Sequence, residues 1–223
     1  MPERLAILFD IDGTLIVSGG AGAESWRGAF EELYGVPADI GEYTDAGMTD
    51  PEVGRRTFEK VVGHEPSPRE LARLLARRNA LLPKAVAESK GYRVLPGVAE
   101  LLPRLCEEGY LLGITTGGVE SAAHIKLERA HLNRYFHFGG YGSDSPDRTE
   151  LTRTAVERGS KVLGRPLQHD EVMVVGDTPL DITAAHAADA VAVGVATGHY
   201  STDQLEQAGA DYALHSLEEP LPL

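Results

Sequence analysis

The stretch Asp10-Ile11-Asp12-Gly13-Thr14-Leu15 sets two carboxylates two residues apart, directly after the apolar run Leu5-Ala6-Ile7-Leu8-Phe9. A short apolar run with turn residues behind it reads as a buried parallel strand, so both acids are expected where a strand ends. Side chains two apart in extended chain share a side. A turn beginning at Gly13 lets the first carboxylate and the backbone beyond it converge on one point. That arrangement suits a hard cation and a phosphoryl group.

Two more apolar runs end in the same manner. Residues 110–114 lead into Thr115-Thr116-Gly117-Gly118, and residues 171–175 lead into Gly176-Asp177-Thr178-Pro179-Leu180-Asp181. A lone Asp after a strand is ordinarily a turn or helix-capping residue. Three polar endings are another matter, because an open parallel sheet delivers its loops to one rim, where ligands bind.

The residue types then suggest the chemistry. A carboxylate attacks phosphorus poorly unless the phosphoryl charge is neutralised, a task suited to Mg²⁺ held by carboxylates and water. Asp10 and Asp177 are the candidate protein ligands. Asp12 is left to protonate the leaving oxygen and then to activate water. Thr116 offers a hydroxyl, Gly13 and Gly117 offer closely approachable backbone, and Arg148 offers a permanent charge with a fork of donors, all for phosphate.

The elements that must position these groups follow along the chain. Val17-Ser18-Gly19-Gly20-Ala21-Gly22 reads as a hinge; lacking a following Gly-Lys-Ser/Thr, it is not a P-loop. Trp26, Phe30 and Leu33 mark a helix with a core face. Asp50-Pro51 reads as a helix N-cap with proline behind it, Val53, Phe58, Val61 and Val62 forming the apolar side. Ser67-Pro68-Arg69-Glu70 is a capping box, opening a helix that Leu71, Leu74, Leu75, Leu81 and Leu82 carry on until Pro83 kinks or ends it. Of Arg55, Arg56, Arg69, Arg73, Arg77 and Arg78, most are read as a solvated face, with one or two as candidates to meet a substrate anion.

From Tyr92 strands and helices alternate. Val98, Leu101, Leu102 and Leu105 mark a helix that Gly109 ends, with Cys106 on it expected to be mostly buried. Strands are expected from Tyr110, around 136–138, to Asp177, over 190–195 and at 211–214. The loop 139–148 precedes a helix running to about Leu163. The fold class implied is α/β: a Rossmann-like, doubly wound parallel sheet with an inserted α-helical cap. The expected division is a core of residues 1–16 and 92–223 and a cap of residues 17–91.

Composition limits the function. With 223 residues, 42% of them apolar, the chain can bury one main core and a smaller one. A net charge of -13 argues against non-specific binding to nucleic acid or anionic membranes. Cys106 is the only cysteine, which excludes an intrachain disulfide, and the histidines show no zinc-binding spacing. Met1-Pro2-Glu3-Arg4 enters the first strand directly and leaves no room for a signal peptide, so the cytoplasm is the expected location. A monomer or weak homo-oligomer is expected.

These motifs together resemble those of haloacid-dehalogenase-superfamily phosphatases with a small helical cap, of the phosphoglycolate-phosphatase-like group. Residues 10–14 match that family's first motif, Ile114-Thr115-Thr116-Gly117 its second and residues 176–181 its fourth. The resemblance implies Asp10 as the nucleophile forming a phosphoaspartate, with Asp12 as general acid/base whose main-chain carbonyl also binds Mg²⁺. It further implies Asp177 as a metal ligand, Asp181 as a residue that binds a metal water or orients the site, and Thr116 as the phosphate holder. The family's third motif is usually a lysine; here Arg148 is the best-placed cation and Lys161 the runner-up, as Thr115 is to Thr116. Gly47-Met48-Thr49-Asp50 would be a cap loop near the substrate.

The implied activity is Mg²⁺-dependent hydrolysis of a small phosphorylated metabolite. A β-phosphoglucomutase-like mutase shares the motifs and ranks below it, because residues 17–23 lack the acid- and histidine-bearing hinge. A catalytically silent binder of phosphorylated ligands is the alternative of another class. His124, His186 and His199 are read as surface or packing residues.

Overall fold

The structure, a computed structural model, describes residues 5–223. The expectation for Met1–Arg4 lies outside the described residues. The main sheet contains β1 (Ala6–Phe9), β4 (Leu111–Thr116), β5 (Phe138–Tyr141), β6 (Val172–Gly176), β7 (Val191–Val195) and β8 (Tyr212–Leu214), after the short β2 (Ile16–Val17) and β3 (Arg93–Val94). Its order is β5-β4-β1-β6-β7-β8, and every pairing in it is parallel. The chain builds outward on one side of β1 and then crosses to the other. The gap where the order reverses therefore lies between β1 and β6, where open α/β sheets bind ligands.

The strands are apolar almost throughout because both faces are covered. Ile7, Phe9, Leu112, Ile114, Met173 and Val175 pack with α4 (Val98–Glu107) and α5 (Glu120–Glu128) on one face. Leu8, Val172, Val174 and Ala192 pack with α6 (Arg148–Leu163), α7 (Pro179–Ala187) and α8 (Thr202–Gln207) on the other. This alternation is the period-two signature of a sheet between two helical layers. Burying one such Leu, Val or Phe contributes roughly 1.5–3 kcal/mol.

Between β2 and β3 the chain forms α1 (Ala21–Tyr34), α2 (Asp50–Val62) and α3 (Pro68–Glu88), which share a core of Trp26, Phe30, Val53, Phe58 and Leu74. The antiparallel β2–β3 pair ties the two crossings to this helical layer and was not expected. Residues 16–17 and 93–94 are too few to carry a periodic signal.

Several local expectations are corrected. The helix α3 runs through Pro83 to Glu88, so of the two expectations for Pro83, kinking or ending the helix, ending it is ruled out. The strand near residues 136–138 is shifted to Phe138–Tyr141, so Gly139 and Gly140 belong to the sheet; a Cβ on Gly140 would fall 1.8 Å from Leu151 O. Cys106 is exposed, since the buried side of α4 is taken by Leu101, Leu102 and Leu105. The N-cap of α2 is Thr49, and Asp50 is its first residue, with its carboxylate engaged elsewhere.

Candidate active site

Asp10 follows β1, and its backbone N–H donates to Val175 O on β6 at 2.9 Å. This hydrogen bond carries the β1–β6 ladder one residue past the strand and fixes the carboxylate over the gap. Beyond it the chain turns tightly, with Leu15 and Ile16 N–H both donating to Ile11 O. Gly13 has φ +87°, and a Cβ there would lie 2.3 Å from Asp177 Oδ2, so both backbone conformation and space demand glycine. Asp177 approaches from the end of β6, where Thr14 Oγ1 donates to it at 3.4 Å.

Asp181 arrives one turn later. It forms a capping box with Thr178 at the start of α7, Oδ2 accepting from the Thr178 hydroxyl at 2.7 Å and backbone N–H at 3.1 Å. Oδ1 is thereby turned toward Arg148, accepting from Nε at 3.1 Å. Arg148 opens α6 behind the Asp147 cap and also donates through Nη2 to Asp10 Oδ1 at 2.8 Å. Its Nη1 reaches Gly47 O at 3.1 Å. All four charged side chains are buried.

Oxygens of Asp10, Asp177 and Asp181 lie within 4.8 Å of one another. Burial pushes Asp10 up; Arg148 pulls it back, and Asp181 and Asp12 oppose Arg148, leaving it at about 6. Burial, then the charges of Asp10 and Asp181, push Asp177 up to about 8. Arg148 loses by desolvation but gains more from Asp181 and Asp10, and its pKa is raised. One guanidinium thus serves a cluster of three buried carboxylates, which leaves the cluster short of positive charge when they ionise. A divalent cation with oxygen ligands matches both the missing charge and the donor set.

Asp12 stands apart from this cluster. Its Oδ2 accepts from Lys126 Nζ of α5, while its Oδ1 is buried without a partner among the described residues. Burial raises its pKa, but the charge and hydrogen bond of Lys126, aided by Ser18 and the more distant Arg78, outweigh burial and hold it below the usual range. Lys126 was not foreseen. A signal was present, since it shares the buried side of α5 with Ala122 and Ala123 at helical spacing.

The remaining candidates divide. Thr116 is buried on the wall of a cavity of about 420 Å³ that also exposes Asp10, Asp12, Gly117, Arg148 and Asp177. Thr115 points away and shares a hydrogen bond of 2.8 Å with Thr152. Lys161 is exposed in the last turn of α6, so of the two rival cations only Arg148 joins the cluster. His199 lines the same cavity beside Gly198; His124 and His186 make exposed polar contacts with Asn133 and Asp211.

The loop 47–50 closes one side of the cavity. Asp50 N–H donates to Gly117 O at 2.7 Å, and its Oδ2 accepts Val119 N–H at 2.9 Å. Arg78 of α3, stacked over Trp26, lies 3.0 Å from that same Oδ2. A Cβ on Gly117 would lie 2.5 Å from Met48 O, so the two loops meet backbone to backbone. No described helix is long and apolar enough to cross a membrane.

Known proteins share this architecture. The model of the haloacid dehalogenase-like hydrolase family matches residues 5–189. A relative named probable phosphatase IndB, from Dickeya dadantii, is 26% identical over 215 residues, covering 96% of this chain and 90% of the relative. The phosphoglycolate phosphatase of Synechococcus elongatus is 27% identical over 211 residues, 95% of this chain and 92% of its own. A solved hydrolase from Pseudomonas syringae superposes with a TM-score of 0.71 at 26% identity, covering 97% of this chain and 95% of that one.

Proposed function

The chain belongs to the haloacid dehalogenase-like hydrolase family, and on that premise we propose that it is a Mg²⁺-dependent phosphatase of small phosphate monoesters, acting through a phosphoaspartate on Asp10. The reading is carried by one observation: the Asp10, Asp177 and Asp181 oxygens converge around Arg148 in a cavity that Asp12 and Thr116 also face.

Asp10, Asp177 and Asp181 would hold the metal, with the main-chain carbonyl of Asp12 as a further donor. When bound, it supplies positive charge that lets an anionic carboxylate approach an anionic phosphate. Arg148 holds Asp10 by one oxygen and leaves the other for attack on phosphorus. Thr116, Arg148 and the backbone at Gly13 and Gly117 take the phosphoryl oxygens. Asp12 donates a proton to the departing oxygen as the ester bond breaks. In the second step Asp12 takes a proton from water, which attacks phosphorus and returns Asp10 as a carboxylate. Its pairing with Lys126 favours the ionised form that this second step needs.

Residues 17–91 serve as a cap over a core of residues 1–16 and 92–223, with β2 and β3 as the crossing points. One of the named relatives is a phosphoglycolate phosphatase, which supports a small phosphate ester as substrate. Phosphate release from a panel of small esters, with Mg²⁺ and with EDTA, tests the proposal. Turnover that needs Mg²⁺ and disappears in Asp10→Asn supports it; equal turnover by the Asn variant refutes the nucleophile. Binding of the esters without turnover would make the protein a silent binder.

A further inference from the structure

Away from the catalytic cavity, a second concave surface of about 400 Å³ runs along β5, the strand at one end of the main sheet. That volume suits a small ligand. Half-buried Phe136 and Phe138 give it aromatic walls, and His124 of α5 and Lys161 of α6 stand on its two sides. Side chains already occupy the backbone of β5 here, Arg158 donating to Gly139 O at 2.6 Å and Asp144 accepting Tyr141 N–H at 3.0 Å. A strand edge blocked in this way does not recruit a further strand, so a compact ligand suits the surface better than a peptide.

Tyr141 supplies the observation that points to such a ligand. It lines this surface and is 4% exposed, yet its hydroxyl forms no hydrogen bond among the described residues. A phenol enclosed without a partner is costly, and an acceptor on a ligand would remove that cost. Gly139 leaves room for the hydroxyl, since a Cβ there would lie 2.6 Å from its oxygen. Burial, followed by the charge of Glu120, pushes the phenol up to about 12, so it remains a donor at neutral pH. Arg158 is paired with Asp144, and His124 lies 4.0 Å from Glu120, which also lines the surface. Lys161 has no carboxylate partner among the described residues and is the cation left over.

We propose that this surface binds a small heteroaromatic anion of nucleotide type, its ring against Phe136 and Phe138, a ring acceptor on the Tyr141 hydroxyl and its phosphate toward Lys161. A nucleobase brings both the flat face and the edge acceptors that these side chains ask for. The site backs onto the loop after β4 that lines the catalytic cavity: Tyr141 is the register partner of Thr116, and Gly142 N–H donates to Gly118 O at 2.9 Å.

Calorimetric titration with cyclic AMP tests the proposal without any turnover, because this probe has the ring and the charge but is a phosphodiester. Saturable binding with Kd below about 1 mM is expected, with adenosine and dimethyl phosphate, which carry ring or charge alone, each at least about 10-fold weaker. Tyr141→Phe loses no contact within the protein, so it should keep the wild-type Tm and weaken binding about 5-fold, the worth of one hydrogen bond. Lys161→Glu, on the exposed side of α6, should weaken it by about 10-fold or more. A titration that stays flat up to about 5 mM overturns the proposal. Equal affinity in the wild type and both variants also overturns it, and would assign the probe to the catalytic cavity instead. Adenosine binding as tightly as cyclic AMP would refute the role given to Lys161.

Discussion

Replacing Asp177 with Asn should make the metal-free protein more stable at pH 8, although it removes a residue of the active site. Asp177 is 3% exposed, and its pKa is pushed from 3.8 up to about 8 by burial and by Asp10 and Asp181. A carboxyl with a raised folded-state pKa binds protons more tightly in the folded chain than in the unfolded one. Stability is therefore fully present below about pH 4 and is lost as the pH climbs toward 8. At about 1.4 kcal/mol per pH step, the loss is on the order of 5 kcal/mol. Coulomb's law gives a similar scale, about 3 kcal/mol for each pair of like charges near 4.8 Å at an effective dielectric of 20. Asn has a similar shape without the charge, so a gain of about 3 kcal/mol is expected, or roughly 6–12 °C in Tm for a chain of this size. The assay is thermal unfolding in EDTA at pH 5 and pH 8, then with Mg²⁺. The variant should melt above the wild type at pH 8, nearly with it at pH 5, and lose most of the Mg²⁺-induced rise. A variant less stable than wild type at pH 8 in EDTA, or one with an undiminished response to Mg²⁺, would refute the electrostatic account of the cluster.

Other perturbations probe its neighbours. Arg148→Lys keeps the charge but not the fork that holds Asp10 and Asp181 together; kcat should fall at least about 100-fold in steady-state assays. Asp50→Ala strips the carboxylate from Arg78, which is 1% exposed, and from Val119 N–H. Unpairing a buried charge costs about 3–5 kcal/mol, and calorimetry should show a Tm lower by about 10 °C. Gly13→Ala should abolish turnover, because the new methyl would occupy the position of the Asp177 carboxylate; wild-type activity in that variant would show that the turn relaxes.

The sheet and its polar rim were legible in the sequence because strands buried on both faces read as unbroken apolar runs, and the residues after them are what such a sheet must deliver to its ligand edge. Asp10, Asp12, Thr116 and Asp177 could be placed on one edge from that logic alone. Arg148 was found through its place after a loop, although its pairing with both Asp10 and Asp181 depends on where α6 and α7 pack. Lys126 and Arg78 were harder, because a charged helix residue ordinarily points to water. Each interrupts a buried stripe, Lys126 beside Ala122 and Ala123, and Arg78 midway between Leu74 and Leu82. A cation in register with apolar neighbours is thus a signal worth reading as a functional or structural ion pair. Of the two readings of Asp50, helix cap and member of a loop near the substrate, local sequence favours the cap, whereas its partners are Arg78 on α3 and the backbone of Val119 just ahead of α5.

The central claim is that phosphorus is transferred to Asp10 before water takes it. A rapid-quench single turnover with a phosphorus-labelled ester, run in Asp12→Ala protein to slow breakdown, tests it most directly, the quenched protein being digested and its peptides mapped. The account predicts a transient, hydroxylamine-labile phosphoryl group on the peptide containing Asp10, appearing before free phosphate. Free phosphate released at the turnover rate with no label on the protein, or label on another residue, would contradict it.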